Sequence, residues 1–330
     1  MKKFVNNPQE VVTETVQGLA ALYPRSLVSI EGTGVVARKA APVMGKVGLV
    51  SGGGSGHEPL HGGYVGMGML DVAVAGAVFT SPTPDQILTA ITLVNGGKGV
   101  LLIVKNYAGD VMNFKLAEQL AVTQGIEVAR AIVNDDVAIP AKENRRGVAG
   151  TILVHKIAGA KAETGASLED VKTLAERVIS NTGSMGVALS SCINPAVGKP
   201  IFTLGENEME VGIGIHGEAG VERLDLQGAD RVAELLYRRV SNELGLKTGE
   251  EIFLVVNGMG STPLMELHVV SRKVCRLLES DGVRRFRAIA GNFVTSLEMA
   301  GFSLTLLRVD EEMKQMLLAP QMTPAFPHLV

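Results

Sequence analysis

Short runs of β-branched residues alternate with longer amphipathic stretches along most of this 330-residue chain. The run from Gly99 to Val104 is apolar throughout, as expected for a strand that is buried on both faces. Just before it, Thr83–Gln86 has the order of threonine, proline and glutamine that is typical of a helix capping box. Alternation of this kind indicates the α/β class.

The length of the chain favours two domains rather than one. We predict two α/β domains, each with a mixed sheet flanked by helices. The first is expected over residues 1–182 and the second over residues 183–330, with a junction near Asn181–Ser184. The tail from about residue 319 is rich in proline, and we expect it to be extended and to return to the first domain.

The charge of the chain argues against two classes of partner. The formal net charge is −3, and no basic cluster suggests binding to nucleic acid or to a membrane surface. No apolar run reaches the ~20 residues that span a bilayer, and the N-terminus lacks the apolar segment of a signal peptide. Cys192 and Cys275 are too few for a disulfide framework. We expect a cytoplasmic protein.

Many of the 39 glycines lie in clusters at the predicted ends of strands. The segments Gly52–His57, Lys105–Asp110 and His216–Gly220 each follow a predicted strand. In open α/β sheets, ligands bind outside the carboxyl ends of the strands. We therefore expect these segments to surround one small-molecule site, although any single cluster could serve only as a tight turn.

Two common motifs occur in the chain without the structure that they require. His57 to His61 fits the H-E-x-x-H pattern of zinc proteases, but Pro59 interrupts the helix that would bring both histidines to one metal. Gly212 to Gly217 fits G-x-G-x-x-G, but the residues that follow do not begin as a helix. No phosphate-binding G-x-x-x-x-G-K-[ST] is present. We expect no metal, dinucleotide or ATP site on this chain.

Longer segments together resemble the K subunit of dihydroxyacetone kinases. They occur in the order typical of that family and cover nearly the whole chain. These segments are SGGGSGHEP (51–59), FTSPTPDQ (79–86), GVLLIVKNYAGDVMNF (99–114), NRRGVAGTILVHKIAGA (144–160), NEMEVGIGIHGE (207–218), STPLMEL (261–267) and TSLEMAGFSLTLL (295–307). The resemblance implies a homodimer of two-domain α/β subunits that binds dihydroxyacetone or a close short-chain ketose.

The resemblance also implies roles for particular residues. His216 corresponds to the histidine that forms a hemiaminal with the ketone carbon. His57 corresponds to the histidine that orients and activates the substrate hydroxyl, and Lys105 and Asp110 correspond to the lysine and aspartate of K-N-Y-x-G-D. We predict that His216, His57 and Asp110 are catalytic. The residues implied to line the substrate are Gly54, Ser55 and Gly56.

Structural explanations for these residues stay open at this point. His216 could be a satisfied histidine at a strand end, and His57 could merely cap a glycine loop. Asp110 could be the N-cap of a helix that begins at Val111. Lys105 could be a solvated charge at the end of a strand.

The family divides its work between subunits, which implies partners for this chain. A separate L subunit holds ADP and Mg, and an M subunit passes it a phosphoryl group from phosphoenolpyruvate. We therefore expect no cofactor on this chain. An alternative is a dihydroxyacetone-binding relative that acts as a sensor or coactivator of a transcription regulator without catalysis. The joint presence of His216, His57 and Asp110 favours the enzyme.

The sequence departs from the family pattern at three places. Ala77 replaces an acidic or amide residue, the segment 139–143 replaces a longer loop, and Ala219 replaces a proline. These changes leave open whether the substrate is dihydroxyacetone or a four-carbon ketose such as erythrulose. If they widen the site, the larger ketose is expected to be accepted at least as well.

Overall fold

The computed structural model describes residues 2–329, in which the strands form two sheets of six strands each. The first sheet has the order β1-β2-β4-β3-β5-β6, and its three central strands β4, β3 and β5 run parallel. Its strands are β1 (Leu27–Ile30), β2 (Val35–Arg38), β3 (Gly48–Ser55), β4 (Val72–Val78), β5 (Val100–Lys105) and β6 (Val128–Val133).

The second sheet has the order β11-β10-β12-β7-β8-β9, and only its β10–β11 pair is parallel. Its strands are β7 (Thr182–Ala188), β8 (Glu208–Val211), β9 (Glu222–Asp225), β10 (Glu251–Gly258), β11 (Arg284–Gly291) and β12 (Gly301–Arg308). Both sheets are mixed, which confirms the predicted fold class. The division of the chain into domains after residue 182 stays a prediction.

Helices cover both faces of each sheet. Over residues 2–329 they are α1 (Val11–Leu22), α2 (Pro84–Val94), α3 (Ala108–Thr123), α4 (Thr151–Glu163), α5 (Leu168–Ser180), α6 (Ala229–Leu244), α7 (Leu264–Ser280) and α8 (Glu311–Leu318). Apolar residues of α2 and α3 pack on one face of the first sheet, and those of α6 and α7 pack on one face of the second. The remaining core joins α4, α5 and α8 to residues of both sheets.

The local sequence explains why two of these elements form. In α4, eleven of thirteen residues are buried, which is expected of a helix that is apolar on every side. At the start of α2, the Thr83 hydroxyl accepts a hydrogen bond from the Gln86 N–H, and the Gln86 side chain accepts one from the Thr83 N–H. This capping box is the one predicted from the sequence.

The structure differs from the sequence predictions at several boundaries. β3 continues through its glycines to Ser55 instead of ending in a loop, because β4 pairs with it along this stretch as far as Ser55. The strand before His216, β8, ends at Val211, so four further residues separate it from His216. The strands β1, β2 and β9 were not predicted, since each has only four residues.

The C-terminal tail packs against the first half of the chain. The Met322 N–H donates to the Met67 carbonyl at 2.9 Å, and the Ala325 N–H donates to the Gly63 carbonyl at 2.9 Å. Phe326 is buried in the core that joins the two sheets. Over the part of the chain that the structure describes, none of the helices is both long and apolar enough to cross a membrane.

Candidate active site

Three neighbouring parallel strands of the first sheet bring polar and aromatic residues to one edge. β3 leads into His57, β4 into Phe79, and β5 ends at Lys105 itself. Because the carboxyl ends of parallel strands lie at the same edge of a sheet, these residues approach one another although they are far apart in sequence. The first turn of α3 adds Asp110 to the group.

His57 is fully buried, and a main-chain carbonyl fixes which of its nitrogens carries the proton. Its Nδ1 lies 2.8 Å from the carbonyl oxygen of Thr295, which can only accept, so Nδ1 is the donor. Nε2 therefore carries a lone pair, and it has no partner within residues 2–329. Burial, with the nearby His216 and Lys105, holds the pKa of His57 well below its usual range. The ring is a neutral acceptor.

Lys105 and Asp110 form a second buried polar pair beside His57. Their exposed fractions are 0% and 3%, and the Lys105 Nζ lies 3.6 Å from the Asp110 Oδ2. A side chain at Gly53 would overlap the ammonium group, so only glycine leaves room for it there. Asp110 lies inside the first turn of α3, where the helix dipole favours a carboxylate, and Tyr107 is the N-cap.

Several polar atoms of this group have no hydrogen-bond partner in the described chain. They are the Lys105 Nζ, the Asp110 Oδ1 and the His57 Nε2. Buried polar groups are nearly always paired, so an unpaired set at a strand edge indicates a place for a polar ligand. One ammonium donor with carboxylate and imidazole acceptors fits a small neutral molecule that carries hydroxyl and carbonyl groups.

His216 reaches the same place from the second sheet. It lies in the turn that follows β8 and is partly exposed. Its Nδ1 is 3.1 Å from the Glu218 Oε1, and its N–H donates to the Glu218 Oε2 at 2.8 Å. Burial alone would raise the pKa of Glu218, but the opposing contributions, of which the hydrogen bond with the His216 side chain is the largest, together outweigh burial and lower the pKa to about 2. Because Glu218 is a carboxylate, the His216 Nδ1 is the donor of this hydrogen bond, and the Nε2 of the neutral ring carries the lone pair.

Three aromatic rings surround the imidazole of His216. The ring centroids lie 4.4 Å away for Tyr107, 4.6 Å for His57 and 5.5 Å for Phe79, and all three contacts are edge-to-face. Phe79 also stacks on His57 at 5.1 Å. We refer to Phe79, Tyr107, His57 and His216 together as the ring cluster. Burial raises the pKa of Tyr107 well above its ordinary value, so its hydroxyl stays protonated.

Arg146 ties the loop of His216 to the first half of the chain. Its Nε donates to the Asp136 Oδ2 at 2.7 Å, and a second nitrogen donates to the Gly212 carbonyl at 2.7 Å. Asp136 follows β6, whereas Gly212 begins the turn that carries His216. The positive charge of Arg146 also lies close enough to Glu218 to help lower its pKa.

The structure brings His57, Lys105, Asp110 and His216 together, but their catalytic roles stay predictions. Gly54 and Gly56 lie against Phe79, and a side chain at Gly56 would come within 2.7 Å of that ring. The Ser55 hydroxyl donates to the Gly76 carbonyl at 2.8 Å, so this hydroxyl links β3 to β4 within the sheet.

Sequence reasoning missed several residues of the site: Phe79, Tyr107, Arg146, Glu218 and Thr295. Each of them lies inside a segment that carries the family resemblance, but the resemblance did not imply a role for these particular residues. A histidine followed two residues later by glutamate is the clearest example, since the short turn allows the carboxylate to reach Nδ1.

Other sequence features lie away from the ring cluster or lack metal-binding geometry. The segment from His57 to His61 forms a turn, not a helix. Across residues 2–329, no three histidine, cysteine or acidic residues are grouped so that they could hold a metal ion. Ala77 is exposed and faces a groove beside α1. The segment 139–143 instead lies near the site's edge of the first sheet, because it follows β6 and its Glu143 carbonyl accepts a hydrogen bond from the Asn106 side chain at 2.9 Å.

Comparison with known proteins agrees with this arrangement. Residues 17–325 match the model of the Dak1 domain family. The chain is 52% identical over 315 residues to the "PTS-dependent dihydroxyacetone kinase 1, dihydroxyacetone-binding subunit DhaK" of Listeria innocua, which covers 94% of this chain and 95% of that protein.

Two solved structures are also similar to the chain. One is the dihydroxyacetone kinase of C. freundii, at a TM-score of 0.91 and 38% identity over 100% of this chain and 61% of that longer one. The other is a dihydroxyacetone kinase operon co-activator, at a TM-score of 0.89 and 40% identity over 93% of this chain and 96% of that one. The chain therefore belongs to the Dak1 family, and within it to the K subunits of dihydroxyacetone kinases.

Proposed function

We propose that this chain is the substrate-binding and catalytic subunit of a dihydroxyacetone kinase. It binds dihydroxyacetone, or a close short-chain ketose, as a hemiaminal on His216. The observation that carries the proposal is the pairing of the His216 Nδ1 with Glu218, which leaves the Nε2 lone pair free on a ring 4.6 Å from that of His57, whose own Nε2 has no partner within residues 2–329. A neutral imidazole nitrogen is a competent nucleophile.

The covalent step follows from this geometry. The His216 Nε2 lone pair forms a bond to the ketone carbon while the carbonyl π electrons move to oxygen, which takes up a proton from the solvent that the partly exposed His216 reaches. The imidazole gains positive charge as the bond forms, and the Glu218 carboxylate stabilises that charge through Nδ1–H. Glycerol has no electrophilic carbon, so this step separates the ketose from the polyol more sharply than hydroxyl contacts do.

The bound ketose then presents a terminal hydroxyl to the phosphoryl donor. His57 and Asp110 are placed to accept the hydroxyl proton or to orient it, and Lys105 can donate to a substrate oxygen. Fixing the substrate through one covalent bond leaves this hydroxyl in a defined position for in-line attack. The substrate therefore loses its translational and rotational entropy when it binds, and not during phosphoryl transfer.

The phosphoryl donor belongs to partner proteins. We infer a separate L subunit that holds ADP and Mg, recharged through an M subunit that draws on phosphoenolpyruvate. The "PTS-dependent" name of the Listeria relative supports this arrangement. We further propose a cytoplasmic homodimer of two-domain subunits, with the domains divided after residue 182.

Native mass spectrometry of the protein with dihydroxyacetone tests the proposed function. The wild type should gain the mass of one ketose per chain, and His216→Ala should not. His268→Ala is the matched control, because His268 is an exposed histidine on α7. Equal adduct formation by His216→Ala and the wild type would disprove the covalent role.

A second candidate function is regulation without catalysis. The operon co-activator that is 40% identical to this chain favours it. Turnover separates the two functions: an enzyme subunit phosphorylates dihydroxyacetone when an ADP-loaded L subunit and its phosphoryl donor are added. Adduct formation on His216 without any turnover would favour the regulator.

A further inference from the structure

Two bulky residues of this protein have a backbone conformation that favours glycine. Within residues 2–329, positive φ occurs outside glycine only at Phe79, with φ of 59°, and at Leu297, with φ of 52°. Bulky residues seldom adopt this conformation, and they keep it only where the surrounding structure fixes them. Such residues are concentrated at functional sites.

Both residues contact the same glycine, although they come from different sheets. The Phe79 N–H donates to the Ser55 carbonyl at 2.9 Å, and its ring lies against Gly56. The Leu297 N–H donates to the Gly56 carbonyl at 2.7 Å. Gly56 is thus held from one side by the turn after β4 and from the other by the loop between β11 and β12.

The residue after this glycine is His57, and the same two segments hold its ring. The Phe79 ring stacks on the imidazole face at 5.1 Å with an interplanar angle of 22°. Two residues before Leu297, the Thr295 carbonyl accepts from the His57 Nδ1, and the Thr295 N–H donates to the His57 carbonyl at 3.2 Å. One segment therefore fixes the face of the imidazole, and the other fixes its edge.

We propose that Phe79 and Leu297 are positioning residues for His57, which hold its bare Nε2 toward the substrate hydroxyl. Phe79 acts through its ring, and Leu297 acts through a backbone N–H that only the left-handed conformation aims at Gly56. This inference rests on the proposed function, in which His57 orients or activates that hydroxyl. It also makes His57 depend on a loop of the second sheet, so both sheets complete one catalytic group.

Three variants separate positioning from general packing. Phe79→Gly tolerates the positive φ but removes the ring from His57. Leu297→Gly also tolerates the positive φ and keeps the N–H donor, so it separates the role of the backbone donor from that of the side chain. Leu297→Pro removes the donor and forces φ to a negative value.

Turnover with an ADP-loaded L subunit and its phosphoryl donor, and the NMR signal of the His57 Nδ1–H, are measured for each variant. We expect kcat to fall by roughly 10²-fold in Phe79→Gly, within the usual range for a positioned acid or base, while KM changes much less. The Nδ1–H signal should broaden in this variant. In Leu297→Gly the Nδ1–H signal should stay sharp because the backbone donor is kept, and in Leu297→Pro the signal should be lost.

Wild-type kcat together with an unchanged His57 signal in Phe79→Gly would overturn the proposal. If Leu297→Pro fails to fold, the His57 Nδ1–H signals of Phe79→Gly and Leu297→Gly still test whether the Phe79 ring holds the imidazole. If the wild type has no turnover with the L subunit, the proposed function is wrong, and the Nδ1–H signal alone then tests whether Phe79 holds the ring. Equal broadening in both glycine variants would also contradict it, because relief of strain would then explain the effect.

Discussion

The two sheets contribute unlike halves to the site. On the side of the first sheet, His57, Lys105 and Asp110 are almost completely buried, and polar atoms of all three lack hydrogen-bond partners within residues 2–329. On the side of the second sheet, His216 is partly exposed, and its Nδ1 and N–H are both paired with Glu218. The first-sheet side therefore offers unpaired hydrogen-bonding groups to a ligand, whereas on the second-sheet side the orientation of His216 is already fixed by the protein.

This difference indicates separate tasks. Each unpaired buried polar group costs about 1–3 kcal/mol, and a bound ketose that supplies the missing hydrogen bonds removes that cost. A nucleophile instead benefits from a fixed tautomer before the substrate arrives. We therefore expect changes in the first half to impair phosphoryl transfer, and changes beside His216 to impair formation of the adduct.

The largest effect is expected from the first half. Asp110→Asn and His57→Asn should each reduce phosphorylation by roughly 10²–10⁴, the usual range for a positioned acid or base. Binding of dihydroxyacetone should stay within about tenfold, since a single hydrogen bond is weakened. Steady-state kinetics with an L subunit, alongside mass spectrometry of the adduct, checks both. Wild-type turnover in Asp110→Asn would remove Asp110 from the mechanism.

A smaller effect is expected beside His216. Glu218→Gln removes the charge that stabilises the imidazole during adduct formation. A hydrogen bond to a charged group contributes about 1.5–3 kcal/mol, so the affinity for dihydroxyacetone should fall by roughly ten- to a hundredfold. Calorimetric titration measures this affinity. Glu222→Gln is the control, because that carboxylate pairs with Arg239 on the outside of the same region. Equal affinities in all three proteins would contradict the role of Glu218.

The stability of the fold should decrease in acid because of three buried histidines. Burial and the nearby Lys105 lower the pKa of His155 to about 3, and burial lowers the pKa values of His57 and His61 in the same direction. Below pH 6.5 the unfolded chain binds protons that the folded chain does not. The free energy of unfolding therefore falls as pH decreases below 6.5, and His155 contributes about 1.4 kcal/mol per pH unit to this loss down toward pH 3.

Denaturant unfolding between pH 6 and pH 4.5 measures this dependence. His155→Gln should reduce the slope of stability against pH by about one proton. The same change at the exposed His268 should leave the slope unaltered, whatever either substitution does to stability at neutral pH. An unchanged slope in His155→Gln would mean that this buried imidazole is protonated in the folded state.

Sequence alone predicted the strands that form the centre of the first sheet, because their apolar runs and flanking caps are local signals. It also grouped Gly52–His57, Lys105–Asp110 and His216–Gly220 at strand ends, and the structure places these segments around the ring cluster. It could not predict the Thr295 carbonyl at the His57 Nδ1, since that contact joins a side chain to a main-chain group 238 residues away in the sequence. The pairing of β3 through its glycines was missed for a related reason: it depends on how closely neighbouring strands approach.

The smallest effect is expected at Ala77. From the sequence, this alanine raised the possibility of a wider site that accepts erythrulose. Its side chain instead faces a groove beside α1 and not the ring cluster. Ala77→Glu should therefore change the preference between erythrulose and dihydroxyacetone by less than about threefold, the range of an exposed substitution away from a site.

Tyr107→Phe is the comparison variant, because the buried Tyr107 hydroxyl lies in the ring cluster without a protein acceptor in the described chain. Its loss should change the preference by about tenfold, the worth of one buried hydrogen bond to substrate. Competition between the two ketoses with an L subunit present measures both variants. A larger change in Ala77→Glu than in Tyr107→Phe would mean that substrate choice is set outside the ring cluster, and the contrast between the two halves would then not account for specificity.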